Sequence, residues 1–101
     1  MELSDPIIRA RLSAQRALGG EVAPAMRAVV LSMTGKGVEL RCYFDGPIQP
    51  ADAESISVVE TEMMADFEPE QSVTARCIRL DAPEPVNDDG VWIYCRRERT
   101  T

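Results

Sequence analysis

The chain reads as an α+β protein: a two-layer α-β-β-α-β-β arrangement with a mainly antiparallel four-stranded sheet and two helices on one face. Three observations lead there. Two segments carry apolar residues at helical spacing between proline and glycine punctuation. Two β-like runs flank a glycine-containing turn, and two further runs rich in Val, Ile, Trp, Tyr and Thr follow the second helical segment. Residues 1–101 are expected to form a single domain, because a second one would be too small to keep its own core. With 45% hydrophobic and 28% charged residues, the composition is that of a globular chain rather than a disordered one.

The first helix is expected to start with Asp5 as N-cap and Pro6 at the first helical position, and to run to Leu18 before Gly19-Gly20. Ile7, Ala10, Ala14, Ala17 and Leu18 form its apolar side, with Arg9 and Arg16 opposite. A hairpin follows, Met26 to Met33 and Val38 to Asp45 around Thr34-Gly35-Lys36-Gly37. Its register sets Met33 against Val38, Leu31 against Leu40 and Val29 against Cys42, on one face completed by Phe44. The second helix is expected over Pro50 to Phe67, with Asp52 and Glu54 at the positive end of its dipole. Ile56, Val59, Met63 and Phe67 form its buried stripe.

Val73 to Leu80 reads as a third strand and Val91 to Arg97 as a fourth, joined by the proline-rich acidic segment from Asp81 to Gly90. Either face of these two strands fits burial, since Val91, Ile93 and Cys95 alternate with Trp92 and Tyr94. A strand order 1-2-4-3 makes every neighbour antiparallel and leaves one sheet face without helix cover. Tyr43, Trp92 and Tyr94 with Arg41, Arg76 and Arg96 are candidates for that face. The residues from Arg96 onward are expected to fray as a basic tail.

No residue is histidine, which removes the usual neutral-pH acid/base and the commonest metal ligand, and with them hydrolase triads and most zinc sites. There is no glycine-rich phosphate loop and no G-x-S-x-G elbow. Asn87-Asp88-Asp89-Gly90 lacks the alternating ligands and closing glutamate of a calcium loop. No catalytic residue, cofactor or metal is therefore expected, and a carboxylate enzyme ranks last among the readings. Cys42, Cys77 and Cys95 are an odd number without C-x-x-C spacing, against a disulfide framework. The N-terminus lacks a basic, apolar leader and no apolar stretch is long enough to span a bilayer, so a cytoplasmic location is expected. Eleven basic against seventeen acidic residues give a net charge of −6, which argues against nucleic acid and for a cationic partner. Two acidic segments carry that idea: Glu60, Glu62 and Asp66 on the second helix, and Glu84, Asp88 and Asp89 in the 81–90 segment, expected to combine into one patch. For any single member, a solvated helix or loop face is the better explanation. Trp92 and Tyr94 are candidate aromatic anchors beside them.

Ser13-Ala-Gln-Arg-Ala-Leu-Gly19, Arg27-Ala-Val, Tyr43-Phe-Asp-Gly46, Thr61-Glu62, Ala65-Asp-Phe67, Ile78-Arg-Leu-Asp81, Pro83 and Tyr94 run in the same order as blocks of one family. The chain resembles the small bacterial immunity proteins of contact-dependent growth inhibition systems over nearly its whole length. The resemblance implies a cytoplasmic protein that binds and neutralises a cognate toxin domain by occlusion, without chemistry. It supplies no catalytic residue and no fixed toxin contact. It also implies that Arg16, Glu62, Asp66 and Asp81, which match family positions, hold helices and sheet together by polar pairing. Leu18-Gly19-Gly20 departs from the family pattern, in which a second apolar residue precedes the glycine, and this leaves the end of the first helix open. The competing reading is a structural or regulatory module that forms a homodimer through the uncovered sheet face.

Overall fold

The computed structural model describes residues 5–98. Its elements are α1 (Pro6–Ala17), β1 (Met26–Met33), β2 (Gly37–Phe44), α2 (Pro50–Met64), β3 (Ser72–Arg79) and β4 (Val91–Cys95), in the order expected. Asp5 caps α1 by accepting a hydrogen bond from the Ile7 amide at 2.9 Å. The helix ends one residue early, with Leu18 as C-cap. Glu21 then donates back to the Leu18 carbonyl across Gly20, whose φ of 82° only glycine adopts without strain. At the start of α2 the Asp52 carboxylate accepts from the Gln49 amide. That helix stops at Met64, three residues before the expected end. Tighter turns, Asp66 to the Met63 carbonyl and Phe67 to that of Met64, close it ahead of Pro69.

The β1–β2 hairpin has the register read from the sequence, including Met33 with Val38, Leu31 with Leu40 and Val29 with Cys42. These residues and Phe44 form the core with Ala10, Ala14, Ala17, Ile56, Val59 and Met63 of the two helices. Both helices therefore lie on the side of the sheet that carries Val29 and Leu40.

Strand order is where the expectation fails. The sheet runs β3-β2-β1-β4, with β3 parallel to β2 and β4 antiparallel to β1, so the order 1-2-4-3 is corrected. The hairpin lies at the centre, and α2 serves as the crossover that a parallel neighbour requires. The chain must then pass from one edge of the sheet to the other. Three strand spacings amount to about 14 Å, and the ten residues 81–90 reach about 33 Å when extended.

That segment crosses the face opposite the helices. Gly90 sits so close to β1 and β2 that an added Cβ would stand 2.7 Å from Val30 Cγ1 and 2.8 Å from an Arg41 Nη atom. Ala28 and Val30, on this second face, are fully buried. The sheet face expected to be uncovered is thus covered by a strap, and a homodimer through an open sheet face loses its premise.

A bulge settles the ambiguous fourth strand. Trp92 pairs with Val30 and Tyr94 with Val29, so Ile93 is the extra residue and the two aromatics lie on opposite faces. Tyr94 packs against the helix-side core, whereas Trp92 is 38% exposed on the strap side. The segment after β4 is also held, as far as Glu98: Arg96 donates through its amide to the Arg27 carbonyl and through its side chain to Pro24 and Asp45. The expected frayed tail is corrected for residues 96–98, and residues 99–101 lie outside the described residues.

Candidate partner-binding surface

The strap is latched by Asp88. Glu39, Arg41 and Tyr43 alternate with the core residues of β2 and so point toward it. The Asp88 carboxylate accepts from Arg41 Nε at 2.7 Å, from an Arg41 Nη at 2.8 Å, from the Tyr43 hydroxyl at 2.6 Å and from the Gly90 amide at 2.9 Å. Arg41 completes its fork on Glu39 and Ser32. The side chain of Asp88 is 5% exposed and that of Arg41 16%, so this is a nearly dry, bidentate ion pair. Hydrogen bonding from Arg41 holds the Asp88 carboxyl far below the usual carboxylate range, against the opposing effect of burial. The Arg41 guanidinium is raised in return, and burial followed by Asp88 raises the Tyr43 phenol.

A second network pins the start of the strap and the residues after β4. Arg27 lies at a bulge of β1 and is 3% exposed. It donates to the Leu80 carbonyl and to both oxygens of Glu98, which also accepts from Arg96. Hydrogen bonding from Arg27 lowers the Glu98 carboxyl to about 2. Asp81 accepts from the Gly46 amide and from Arg79, and Asp45 accepts from the Ala82 amide.

The eight expected contact residues divide according to what else they bind. Asp88 is consumed by the latch. Asp66 joins the helices, accepting from Ser13 Oγ at 2.7 Å and from Arg16, while Arg9 reaches its carbonyl. Of the four residues to which the resemblance gives polar pairing, Arg16 and Asp66 pair with each other and Asp81 pairs with Arg79, whereas Glu62 has no ion pair among the described residues.

Glu60 accepts from the Ala75 amide at 2.8 Å on the outer edge of β3, where its carboxylate replaces a neighbouring strand. Removing it with Glu60→Ala is expected to expose a donor in the middle of an eight-residue edge strand. Concentration-dependent association in sedimentation velocity should then appear in that variant and not in the unaltered chain. Tyr94 belongs to the core side, and the Trp92 indole donates to the Asp88 carbonyl while part of its ring stays exposed.

Glu62, Glu84 and Asp89 are exposed, and among the described residues no ion pair engages them. The two acidic segments do not merge as expected. Glu62 is on the helix side of the sheet, and Asp89 is in the strap on the other. Sequence reasoning missed Arg27 and Arg41 as organising residues. The signal available was an arginine within each of two strands whose other residues are mainly apolar.

The exposed surface of α2 carries no cation, whereas α1 on the same side of the sheet exposes Arg9, Arg11 and Arg16. Between Arg41 and Arg76 the chain contains no Lys or Arg, and Glu54 and Glu62 share the exposed surface of α2 with Val58 and Met64. Among the described residues no helix is long and apolar enough to cross a membrane, and no group of three or more His, Cys, Asp or Glu side chains is placed to hold a metal ion.

These features define a small α+β protein whose buried arginines hold a strap and the segment after β4 in place, while a more exposed ion pair joins its two helices. The chain belongs to the MafI2 immunity protein family, whose model matches residues 8–98. The match supports the immunity-protein resemblance without specifying contact-dependent growth inhibition, to which the Maf polymorphic toxin system is related. Members of such families are typically non-catalytic, and the family implies a toxin protein as partner. No curated protein matches the chain.

Proposed function

We propose that this protein binds a cognate toxin domain in the cytoplasm and neutralises it by covering it, without chemistry of its own. The observation that carries this reading is the family match over residues 8–98. Two features of the chain support it. The sequence has no histidine, and its most strongly perturbed carboxylates, Asp88 and Glu98, are bound to internal arginines rather than directed into a cleft. Within this reading the toxin arrives from a neighbouring cell, as in contact-dependent growth inhibition.

Glu84, Asp89 and the exposed part of Trp92 on the strap side, and Glu62 on α2, are the members of the expected set with side chains left to touch a partner. Glu60, Asp66, Asp88 and Tyr94 act by shaping the surface that carries them. A part-exposed indole bonded to a strap that also carries the exposed Glu84 and Asp89 suits a partner patch that offers lysine or arginine around an apolar hollow.

The test uses the C-terminal domain encoded by the neighbouring open reading frame as the toxin, titrated calorimetrically at several salt concentrations. Glu84→Lys with Asp89→Lys is expected to weaken binding at least tenfold and to flatten its salt dependence, and Trp92→Ala to weaken it comparably. Glu62→Lys tests the helix side separately. Unchanged affinity in the strap variants would move the footprint off the strap. Failure of the unaltered chain to bind that domain or block its activity would reject neutralisation itself.

A further inference from the structure

We propose that Cys42 and Cys77 are a disulfide-forming pair, closed by a low-molecular-weight disulfide such as oxidised glutathione. The sheet puts them directly side by side: in the parallel β2–β3 ladder Cys42 is the register partner of Cys77. Both belong to the helix-side core, so their side chains leave the sheet in the same direction. Neighbouring strands lie about 4.8 Å apart, inside the Cα separation of about 4.4–6.8 Å that a disulfide spans. Cys42 is buried and Cys77 is only partly so, which gives the pair one thiol that meets solvent and one that waits behind it. Cys95 stands apart on β4, two strands from Cys42, and its register partner Ala28 lies on the strap side.

The exchange balances with one molecule of oxidised glutathione. The Cys77 thiolate attacks a glutathione sulfur, forming a mixed disulfide and releasing one glutathione thiolate, which takes up a proton. Cys42 then loses its proton and attacks Cys77 Sγ, forming the Cys42–Cys77 bond and expelling the second glutathione. Two protein thiols are oxidised and one external disulfide is reduced.

Two physical features set the character of the bond. Burial pushes the Cys42 thiol up to about 12 and raises that of Cys77 as well, so exchange is slow at neutral pH and quickens as pH rises. Cβ vectors on parallel neighbours run side by side instead of converging, so closure draws β2 and β3 together. The resulting bond is strained and easily reduced again. The linkage ties the two ends of the β2–α2–β3 unit to each other.

The experiment incubates the full chain with oxidised glutathione at pH 8.5, quenches with acid, and digests without reduction before mass spectrometry. The expected result is a cross-linked peptide pair containing Cys42 and Cys77, loss of two of the three thiols titratable in denaturant, and reversal by dithiothreitol. The thermal midpoint should shift on oxidation in the unaltered chain and stay unmoved in Cys77→Ser, a change at a partly exposed position. Retention of both thiols, or glutathione left on Cys77 or Cys95 with no Cys42–Cys77 linkage, would overturn the proposal.

Discussion

Asp88→Ala is expected to lower the unfolding free energy by about 3–5 kcal/mol, the range for breaking a buried ion pair by removing one partner. The cost comes from what remains. Without the carboxylate, the Arg41 guanidinium stays beneath the strap with two of its donors unpaired, and the Tyr43 hydroxyl and Gly90 amide lose their acceptor. Urea denaturation measures it, with Asp89→Ala as the neighbouring control expected to stay within about 0.5 kcal/mol, as exposed positions do.

The pH dependence has a definite sign. Asp88 and Glu98 both have folded-state carboxyls depressed below their ordinary values. Their contribution is therefore fully present above about pH 4–5, where the unfolded carboxyls are ionised, and is lost as acid titrates them toward the folded values. The unaltered chain should lose stability between about pH 5 and pH 2 more steeply than Asp88→Ala, which lacks one of the two depressed carboxyls. Equal acid slopes in the two proteins would place the ionic latch elsewhere.

What the residues disclose by themselves depends on the distance over which each feature is determined. The hairpin register was legible because a short turn fixes it, and a one-residue slip would move Val29, Leu31, Leu40 and Cys42 out of the core together. The caps were legible because Asp5-Pro6 and the glycines after Leu18 act within a single turn.

Strand order was not, since an apolar β run has the same appearance whether its neighbour is parallel or antiparallel. Choosing the arrangement with every pair antiparallel ignored the helix-containing crossover between β2 and β3, which serves a parallel pair equally well. The β4 bulge was hidden too, because alternation in Val91–Cys95 assumes a regular ladder. The carboxylates were hardest of all. Asp88 meets Arg41 across 47 positions and Asp66 meets Arg16 across 50, so only the assembled fold separates internal partners from free surface charge. Half of the expected contact set proved to have structural work of its own.

Gly37→Ala is the second change expected to have a large effect, and Gly35→Ala is its internal control. Both glycines stand in the β1–β2 turn region, where sequence reasoning values them alike for conformational freedom. Their surroundings differ. A Cβ on Gly35 meets nothing within 4 Å, whereas one on Gly37 would lie 1.9 Å from the Ser72 carbonyl oxygen and 2.7 Å from the Ser72 amide nitrogen, at a φ of 158°. The obstacle is backbone, so no rotamer change relieves it. The methyl must push apart the first residues of the parallel β2–β3 ladder, where Gly37 pairs with Ser72 and the Ser72 amide donates to the Lys36 carbonyl. Steric overpacking of this kind costs about 1–3 kcal/mol and the strained backbone about 1–3 kcal/mol more, so a loss of about 2–6 kcal/mol is expected for Gly37→Ala. Gly35→Ala should fall within about 1 kcal/mol of the unaltered chain. Amide hydrogen exchange locates the damage: protection should fall first at the Ser72 and Thr74 amides, which face β2, while the β1–β4 ladder is retained until global unfolding. Equal stability of the two variants would mean that β3 does not enter the sheet beside Gly37, and the parallel pairing that sends the strap across the opposite face would fall with it.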